Sequence, residues 1–393
     1  MRRIYLIRHG RPDFPEQEKW CLGSTDLELG VLGHLQAYLL GTAMREASVD
    51  AVFCSPLARS VQTAAYLCEN PVCLPGLKEQ DFGAWDGLSF AHIRRRWPEL
   101  YEARGRDRNL LPPKAEETET AKRRFVEAVG EAVSRSCGNI AIVAHQSVMG
   151  MFLCHVLGED LRERHKYRFA YGSVTVLEYE ETADLGCPLS GIGSSAHRKG
   201  PGAFCESAWK LQESISGKMR LCTVNQIQTP VLSEDICQGL LQEARLPDTV
   251  IGHCRLVAGQ ARELCRELSE AGYVLDESLA VCSGWLHDLA RLHPDHAQMG
   301  AAWIRQLGYG RIAEIVEQHH HLMHPRILDE AAVVCLADCC ADGDRRVSIR
   351  ERFEKSRRKC RGEEAREAHQ RRYEEAVWLK EQINKRCGKE VVI

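Results

Sequence analysis

The stretch RRIYLIRHG, residues 2–10, decides the fold of the first half of this 393-residue chain. Its apolar, β-branched run through Ile7 predicts a short buried strand, and Arg8, His9 and Gly10 follow at the carboxyl end of that strand. Active sites of α/β proteins commonly lie at the carboxyl ends of strands. We therefore predict a site that contains Arg8 and His9, where Gly10 lets a ligand approach the backbone closely.

Apolar runs and helical patterns alternate over the following 170 residues, which predicts a mostly parallel sheet covered by helices. The strand-like runs are 51–54, 139–144 and 174–179, and the helical patterns cover 31–46, 58–68, 119–136 and 147–157. This α/β domain is predicted to span residues 1–213.

A stretch rich in Gly, Ser, Pro and Ala at about 181–205 predicts an insertion into the first domain. The strand-like run 208–212 follows it, and residues 214–230 are predicted to be a linker. In the alternative interpretation, 181–230 is linker throughout.

The second half is predicted to be all-α, because helical periodicity recurs from residue 231 with almost no strand signal. The helical patterns are 233–244, 249–271, 276–290, 296–307, 309–320 and 329–341. Their core is predicted to span 231–345. The basic stretch 346–393, whose acids are interleaved with its bases, is predicted to form solvated helices that pack on this core.

The overall composition argues against several classes of protein. There are 52 Lys and Arg against 55 Asp and Glu, so a basic nucleic-acid-binding chain is not indicated, and no apolar run is long enough to cross a membrane. The apolar run Ile4 to Ile7 ends at Arg8, which is too short for a secretory signal. We expect a cytoplasmic protein.

Three later segments add polar residues to the first strand end: Arg59 in Ser55-Pro-Leu-Ala-Arg59, Glu79 before Phe-Gly-Ala-Trp-Asp-Gly87, and His145 in Val143-Ala-His145. With Arg8-His9-Gly10, they resemble the histidine phosphatase superfamily, also called phosphoglycerate mutase-like, over about residues 1–213. The resemblance implies a three-layer α/β/α fold.

The resemblance also implies a set of catalytic roles. His9 would be the nucleophile that takes the phosphoryl group, while Arg8, Arg59 and His145 would hold the phosphoryl oxygens. Glu79 would protonate the leaving group and then activate water, and no metal would be required. The residue types fit, since phosphoryl transfer needs positioning and stabilisation of negative charge, and Arg binds phosphate in a bidentate fashion.

Two departures from the superfamily concern the substrate. Gln146 stands where a glycine often follows the second histidine, and Lys114-Ala-Glu116-Glu117 replaces a Gly-Gly-Glu-Ser segment. Several arginines between Glu79 and this segment are candidates for a second anionic group of the substrate: Arg94, Arg95, Arg96, Arg104, Arg106 and Arg108. The resemblance includes small phosphatases and α-ribazole phosphatase, while a phosphoglycerate-type mutase is the alternative.

The helical half contains His253, the pair His287-Asp288, and Asp338 at intervals that resemble the HD superfamily of metal-dependent phosphohydrolases, over 231–345. His296 and His319 match positions where members with paired metals carry further ligands. His320, His321 and His324 lie in the same stretch, so the choice of His319 rests on helical register.

Six of these residues predict a site for one or two divalent transition-metal ions, with Fe or Mn expected. They are His253, His287, Asp288, His296, His319 and Asp338. Asp338 lies in an otherwise apolar helix, and a metal would be a physical reason for a buried carboxylate there.

The predicted protein thus has two phosphohydrolase domains that act on small phosphate esters or nucleotides. In an alternative, the helical domain binds a nucleotide and regulates the phosphatase without catalysis. The sequence does not determine the oligomeric state.

Overall fold

A computed structural model describes residues 1–15, 18–179, 219–358 and 360–393. The chain divides into two compact units, Met1–Pro230 and Val231–Ile393. The predicted insertion 181–205 and the predicted strand 208–212 lie outside the described residues.

The first unit contains eight described strands and six described α-helices. The strands are β1 Arg2–Arg8, β2 Trp20–Cys21, β3 Val49–Cys54, β4 Val72–Cys73, β5 Leu88–Ser89, β6 Asn139–Ala144, β7 Ser173–Tyr179 and β8 Met219–Ile227. The helices are α1 Val31–Met44, α2 Ala58–Ala64, α3 Phe90–Arg96, α4 Pro98–Arg106, α5 Thr118–Ser134 and α6 Gln146–Leu157.

Six of these strands form one sheet in the order β4-β3-β6-β1-β7-β8. β1, β3, β4 and β6 are parallel, whereas β7 and β8 are each antiparallel to their neighbour. Arg8 lies opposite Ala144, and Cys54 lies opposite Val143. The carboxyl ends of β1, β3 and β6 therefore meet at one edge of the sheet, where the polar residues that follow them converge.

The alternation of side chains along β1 places apolar residues on both faces of the sheet. Ile4 and Leu6 belong to a buried cluster with side chains of α5 and α6, while Tyr5 and Ile7 belong to another with side chains of α1 and α2. Helices cover both faces, and the predicted three-layer α/β/α class is confirmed.

The prediction of a linker over 214–230 is wrong for residues 219–227. They form β8, which pairs with β7. β8 is mostly exposed or half-buried and has a polar carboxyl half, Thr-Val-Asn-Gln, so its sequence lacks the apolar alternation of a half-buried strand.

The second unit is mostly helical, in agreement with the predicted all-α class. Its helices are α7 Glu234–Glu243, α8 Asp248–Glu270, α9 Glu277–Leu286, α10 His296–Gln306, α11 Gly310–Glu317, α12 Glu330–Cys339, α13 Ile349–Arg357 and α14 Glu363–Cys387. A two-residue hairpin, β9 Ala341–Asp342 and β10 Arg345–Arg346, was not anticipated.

The last two helices share the core of the second unit. Phe353, Leu379 and Ile383 lie in the same buried cluster as Val257 and Leu336. In the described parts of the chain, none of the helices combines the length and apolarity that a membrane span requires.

Candidate functional sites

His9 follows β1 and is held as a neutral imidazole with one unprotonated ring nitrogen. Its Nδ1 lies 2.7 Å from the carbonyl oxygen of Gly10. Because a carbonyl only accepts, Nδ1 carries the proton and Nε2 keeps its lone pair, toward which Arg59 Nε donates at 3.3 Å. The side chain is 5% exposed, and burial together with the charges of Arg59 and Arg8 lowers the pKa of His9 well below its usual value.

Arg59, in α2, is buried and fixed by main-chain carbonyls of the loop 23–25. Its Nη1 donates to Thr25 O at 2.7 Å and its Nη2 to Gly23 O at 2.8 Å. The carboxylate of Asp86 holds this loop, because it accepts hydrogen bonds from the backbone of Gly23 and from the backbone and hydroxyls of Ser24 and Thr25. Arg59 is thus oriented through a carboxylate 27 positions away in the sequence.

His145 and Glu79 complete the cluster at the carboxyl edge. His145 follows β6, is fully buried, and its ring centroid lies 4.9 Å from that of His9. Its Nδ1 has no hydrogen-bond partner among the described residues. Burial is the largest influence and, with the charge of Arg59, lowers the pKa of His145 well below its usual value.

Glu79 lies against the N-terminus of α6, where its carboxyl accepts from Ser147 N at 2.9 Å and Val148 N at 3.2 Å. Gln80 N donates to it at 2.8 Å. Burial is the largest influence and raises the pKa of Glu79, although these hydrogen bonds and Arg59 oppose the rise. A buried carboxyl with a raised pKa suits a general acid.

Arg8 is held at the end of its side chain, since its Nη1 donates to Phe169 O at 2.5 Å. Gln146 fixes this acceptor, because its amide donates to Tyr167 O at 2.7 Å and accepts from Phe169 N at 2.9 Å. Gln146, which departs from the superfamily pattern, therefore helps to position Arg8, one of the residues predicted to bind the phosphoryl group.

Gly10 is required for a different reason from the one predicted. A Cβ at Gly10 would lie 2.5 Å from Gly33 O, so the missing side chain allows β1 and α1 to approach each other. That Gly10 also lets a ligand approach the backbone stays a prediction.

A cavity of about 520 Å³ opens at this cluster, and Arg8, His9 and Glu79 line its reactive end. Aromatic side chains form much of its remaining wall: Trp20, Phe82, Trp85, Phe90 and Tyr101. Of the six arginines proposed for a second anion, Arg104 and Arg108 line the cavity. Arg104 Nη1 donates to the carbonyls of Arg108 and Leu110, so this guanidinium also shapes the loop.

The second unit brings its predicted ligands together around two adjacent positions. His253, His287 and Asp338 are all buried and offer ligand atoms within 4.8 Å of one another. His253 Nε2 lies 3.1 Å from Asp338 Oδ1, and His287 Nε2 lies 3.9 Å from the same oxygen. This set joins α8, the end of α9 and α12.

His296, His319 and His320 form a second set with ligand atoms within 4.8 Å of one another. Asp288 lies between the sets, since its Oδ2 is 3.7 Å from His287 Nε2 and its Oδ1 is 3.2 Å from His296 Nε2. The sequence did not distinguish His320 from its neighbours, because it follows α11, where helical register no longer applies.

The donor atoms of these two sets fit a metal. Nδ1 of His253, His287 and His319 lies within 3.1 Å of a main-chain carbonyl oxygen, of Gly343, Gly284 and Val316 respectively. Each Nδ1 therefore carries a proton, and the Nε2 lone pairs of His287 and His319 are left to face the site, the orientation that such backbone acceptors give to metal-binding histidines. Nε2 of His253 donates to Asp338 Oδ1 at 3.1 Å, and it would give up that proton to bind a cation. The Nε2 atoms of His287 and His319 and Oδ1 of Asp288 are buried without hydrogen-bond partners among the described residues. Buried polar atoms rarely stay unpaired, and a divalent cation would satisfy them.

Arg291 is a further residue at this site that the sequence did not single out. Its Nη1 lies 3.2 Å from His296 Nε2 and 3.6 Å from Asp288 Oδ1. Its position three residues after Asp288 was the available signal, since the two residues lie in one turn after α9, in which Arg291 N donates to Asp288 O at 2.9 Å.

Comparison with known proteins agrees with both resemblances. The sequence profile of the histidine phosphatase superfamily (branch 1) matches residues 4–184, and that of the HD domain matches residues 250–342. The chain belongs to the histidine phosphatase superfamily over its first unit and carries an HD domain in its second. HD domains are metal-dependent, which agrees with the His and Asp set found there.

The relatives each match only part of this chain. The chain is 30% identical over 182 residues to the adenosylcobalamin/alpha-ribazole phosphatase of Salmonella typhimurium, covering 45% of this chain and 90% of that one. It is 28% identical over 183 residues to a bifunctional protein of Mycobacterium tuberculosis, and it spans about half the length of that relative. Among solved structures, a protein titled Mycobacterial hydrolase 2 aligns with a TM-score of 0.47 at 22% identity, over 62% of this chain and 97% of that one.

Proposed function

We propose that the first unit is a phosphomonoesterase that acts on a small phosphorylated metabolite through a phosphohistidine intermediate. The observation that carries this proposal is the state of His9. A buried, neutral imidazole whose Nε2 lone pair lies beside a fixed guanidinium is a nucleophile placed where a phosphate would bind.

Each residue of the cluster has a role in this reaction. His9 Nε2 attacks phosphorus, the bond from phosphorus to the ester oxygen breaks, and Glu79 gives its proton to the departing oxygen. Arg8, Arg59 and His145 stabilise the charge on the phosphoryl oxygens. Water then attacks phosphorus, Glu79 takes a proton of that water, the bond from phosphorus to His9 Nε2 breaks, and inorganic phosphate leaves.

The aromatic wall supports an alcohol group that is larger and less polar than glycerate. Flat rings stack favourably on side chains such as Trp20, Phe90 and Tyr101, which lie around the cavity. The Salmonella relative is named an alpha-ribazole phosphatase. A ribazole-type phosphate carries a flat ring of this kind. A phosphoglycerate-type mutase is the alternative, and release of inorganic phosphate without transfer back to a phosphoglycerate would argue against it.

The first test is loss of the nucleophile. With a chelator present, the wild-type protein should still release phosphate from a phosphomonoester, because the reaction uses His9 and Glu79 instead of a metal, and His9→Ala should reduce this chelator-insensitive release to background. His92→Ala is a matched control, since His92 lies in α3 outside the cavity lining. Retention of chelator-insensitive activity by the His9 variant would refute the proposal.

We propose that the second unit is a metal-dependent phosphohydrolase for a nucleotide or another phosphate ester. His253, His287 and Asp338 would hold one divalent ion, and His296, His319 and His320 a second, with Asp288 between them. When bound, such an ion supplies Lewis-acid polarisation and an activated water. Fe or Mn is the expected metal, because imidazole and carboxylate donors suit these ions.

Metal analysis of the full-length protein tests this second proposal. The wild-type protein should retain transition metal through gel filtration, and Asp288→Ala should lose at least part of it, together with the chelator-sensitive hydrolysis. His324→Ala is the control, because His324 is exposed and belongs to neither set of ligands. Equal metal content in the wild type and Asp288→Ala would contradict the assignment, whereas nucleotide binding without hydrolysis would favour a regulatory domain.

A further inference from the structure

The residue pair Tyr171-Gly172 ties the start of β7 to the end of β1. Gly172 has φ +70, in the left-handed region that glycine adopts without strain. Its N–H lies 3.0 Å from Arg8 O and 3.3 Å from His9 O. The backbone of this turn is therefore fixed against the two residues that begin the candidate phosphatase site.

This turn places the ring of Tyr171 against both side chains. Arg8 Cζ lies 3.8 Å from the centroid of the Tyr171 ring, and the His9 ring centroid lies 5.6 Å from it. Tyr171 also lines the cavity. Both of these contacts are made by the ring of Tyr171.

Two contacts constrain the Arg8 guanidinium, and its Nε–H has no hydrogen-bond partner among the described residues. The Tyr171 ring covers the guanidinium, while Phe169 O accepts from Nη1, and Gln146 holds Phe169 by its backbone N–H. Arg8 is half-buried, and a guanidinium that is fixed by its protein contacts and retains an unpaired buried Nε is preorganised for an anion.

We propose that Tyr171 is a positioning residue of the phosphatase site: its ring holds Arg8 in the orientation that receives the phosphoryl group. The inference rests on the proposed function of the first unit and adds a residue that the superfamily motifs in this sequence did not indicate. Tyr171 acts through Arg8, so its effect depends on the presence of the guanidinium.

The test measures binding of orthovanadate, a probe of the phosphoryl site that carries no organic group. Tyr171→Leu should weaken orthovanadate inhibition of the full-length protein by roughly tenfold, as expected for loss of a partly buried cation–π contact. Tyr171→Phe keeps the ring and should stay within about twofold of wild type. Phosphate-ester turnover should follow the same order, with the loss in kcat/KM.

A double-mutant cycle with Arg8→Ala separates positioning from a general structural effect. In the Arg8→Ala background, Tyr171→Leu should cause little further loss of orthovanadate affinity. Independent losses in the two backgrounds would overturn the proposal, as would a Tyr171→Phe variant as impaired as Tyr171→Leu. These outcomes differ from failure of the proposed function, in which His9→Ala would retain activity whatever stands at position 171.

Discussion

His9 and Glu79 lie in one cavity and have pKa values displaced in opposite directions. Burial and two arginines lower the pKa of His9, whereas burial raises that of Glu79. The imidazole therefore loses its proton below its ordinary pKa of 6.5, and the carboxyl keeps its proton above its ordinary pKa of 4.5. Both displacements widen the pH range in which a neutral nucleophile and a protonated acid coexist.

We expect kcat/KM of the phosphatase reaction to show two limbs. Activity should rise as His9 loses its proton, and it should fall as the pH rises through the raised pKa of Glu79. Glu79→Gln should remove the descending limb and lower turnover of an alkyl phosphate by roughly 10²–10⁴-fold, the usual contribution of a general acid. The measurement is the pH dependence of steady-state phosphate release.

A substrate comparison provides the control for this prediction. Glu79→Gln should lower kcat/KM for para-nitrophenyl phosphate much less than kcat/KM for an alkyl phosphate, because a nitrophenolate leaves without prior protonation. The comparison uses kcat/KM because this parameter does not include the later hydrolysis of the phosphohistidine, in which Glu79 is the base. An equal loss of kcat/KM on both substrates would mean that Glu79 does not protonate the leaving group.

The sequence allowed us to predict which side chains of the first unit lie close together, while their catalytic roles stay predictions. His9, Arg59 and His145 each follow or adjoin a strand end, and the sheet brings them together at one edge. Tyr171 and Asp86 were missed, because each acts on a side chain far away in the sequence and neither lies at a strand end of the parallel sheet.

Loop 23–25 is the element that connects Asp86 to Arg59. Two carbonyls of the loop accept from the guanidinium, and the loop backbone and hydroxyls donate to the carboxylate. Burial works against ionisation of this carboxyl, but the hydrogen bonds from Gly23, Thr25 and Ser24 outweigh it and lower the pKa of Asp86.

Asp86→Asn should lower the free energy of unfolding by about 1–3 kcal/mol at neutral pH, since hydrogen bonds to a charged acceptor are lost. Because the folded-state pKa lies below the ordinary 3.8, the stabilisation by ionised Asp86 is complete above that value and is lost as pH falls through the lowered pKa. The difference in the free energy of unfolding between the wild type and Asp86→Asn should therefore shrink as the pH falls into the acidic range. Urea unfolding at neutral and acidic pH measures this difference.

Asp81→Asn is a matched control for Asp86→Asn. Asp81 lies in the same segment, but its carboxylate accepts from Gly83 N at 2.7 Å and holds no part of the loop 23–25. Only Asp86→Asn should also weaken orthovanadate binding, through the loss of support for Arg59. If both variants weaken this binding equally, the loop does not transmit the effect.

Helices and strands with strong periodicity were predicted closely, whereas elements with weak periodicity were not. α8 and α12, whose sequences carry long apolar patterns, lie within a few residues of their predicted bounds. The short strand β2 and the helices α3 and α4 supply Trp20, Phe90 and Tyr101 to the cavity wall, yet tertiary packing, and no periodic signal, stabilises these elements. β8 is an edge strand with a single described neighbour, and none of its residues is fully buried, so its sequence carries only a weak strand signal.

Across the whole molecule, each unit gathers its polar side chains from segments far apart in the sequence. His253 and Asp338 are separated by 85 positions but lie within hydrogen-bond distance. The superfamily motifs made this convergence predictable for six metal-type ligands. That His320 belongs to the second set was not predictable, because its neighbours His319 and His321 offer the same chemistry. Only the path of the chain after α11 determines which of these histidines reach the set.

Both units fix an imidazole in the same way, through a main-chain acceptor for Nδ1. In the first unit the acceptor is the carbonyl of Gly10, and in the second the acceptors include those of Gly284 and Val316. Every residue type has a carbonyl oxygen, so no substitution of the acceptor residue deletes this hydrogen bond as long as the backbone keeps its course. Substitutions of the residue that supplies the carbonyl therefore leave the tautomer of these histidines unchanged. Selection needs to preserve only the histidine and the local fold.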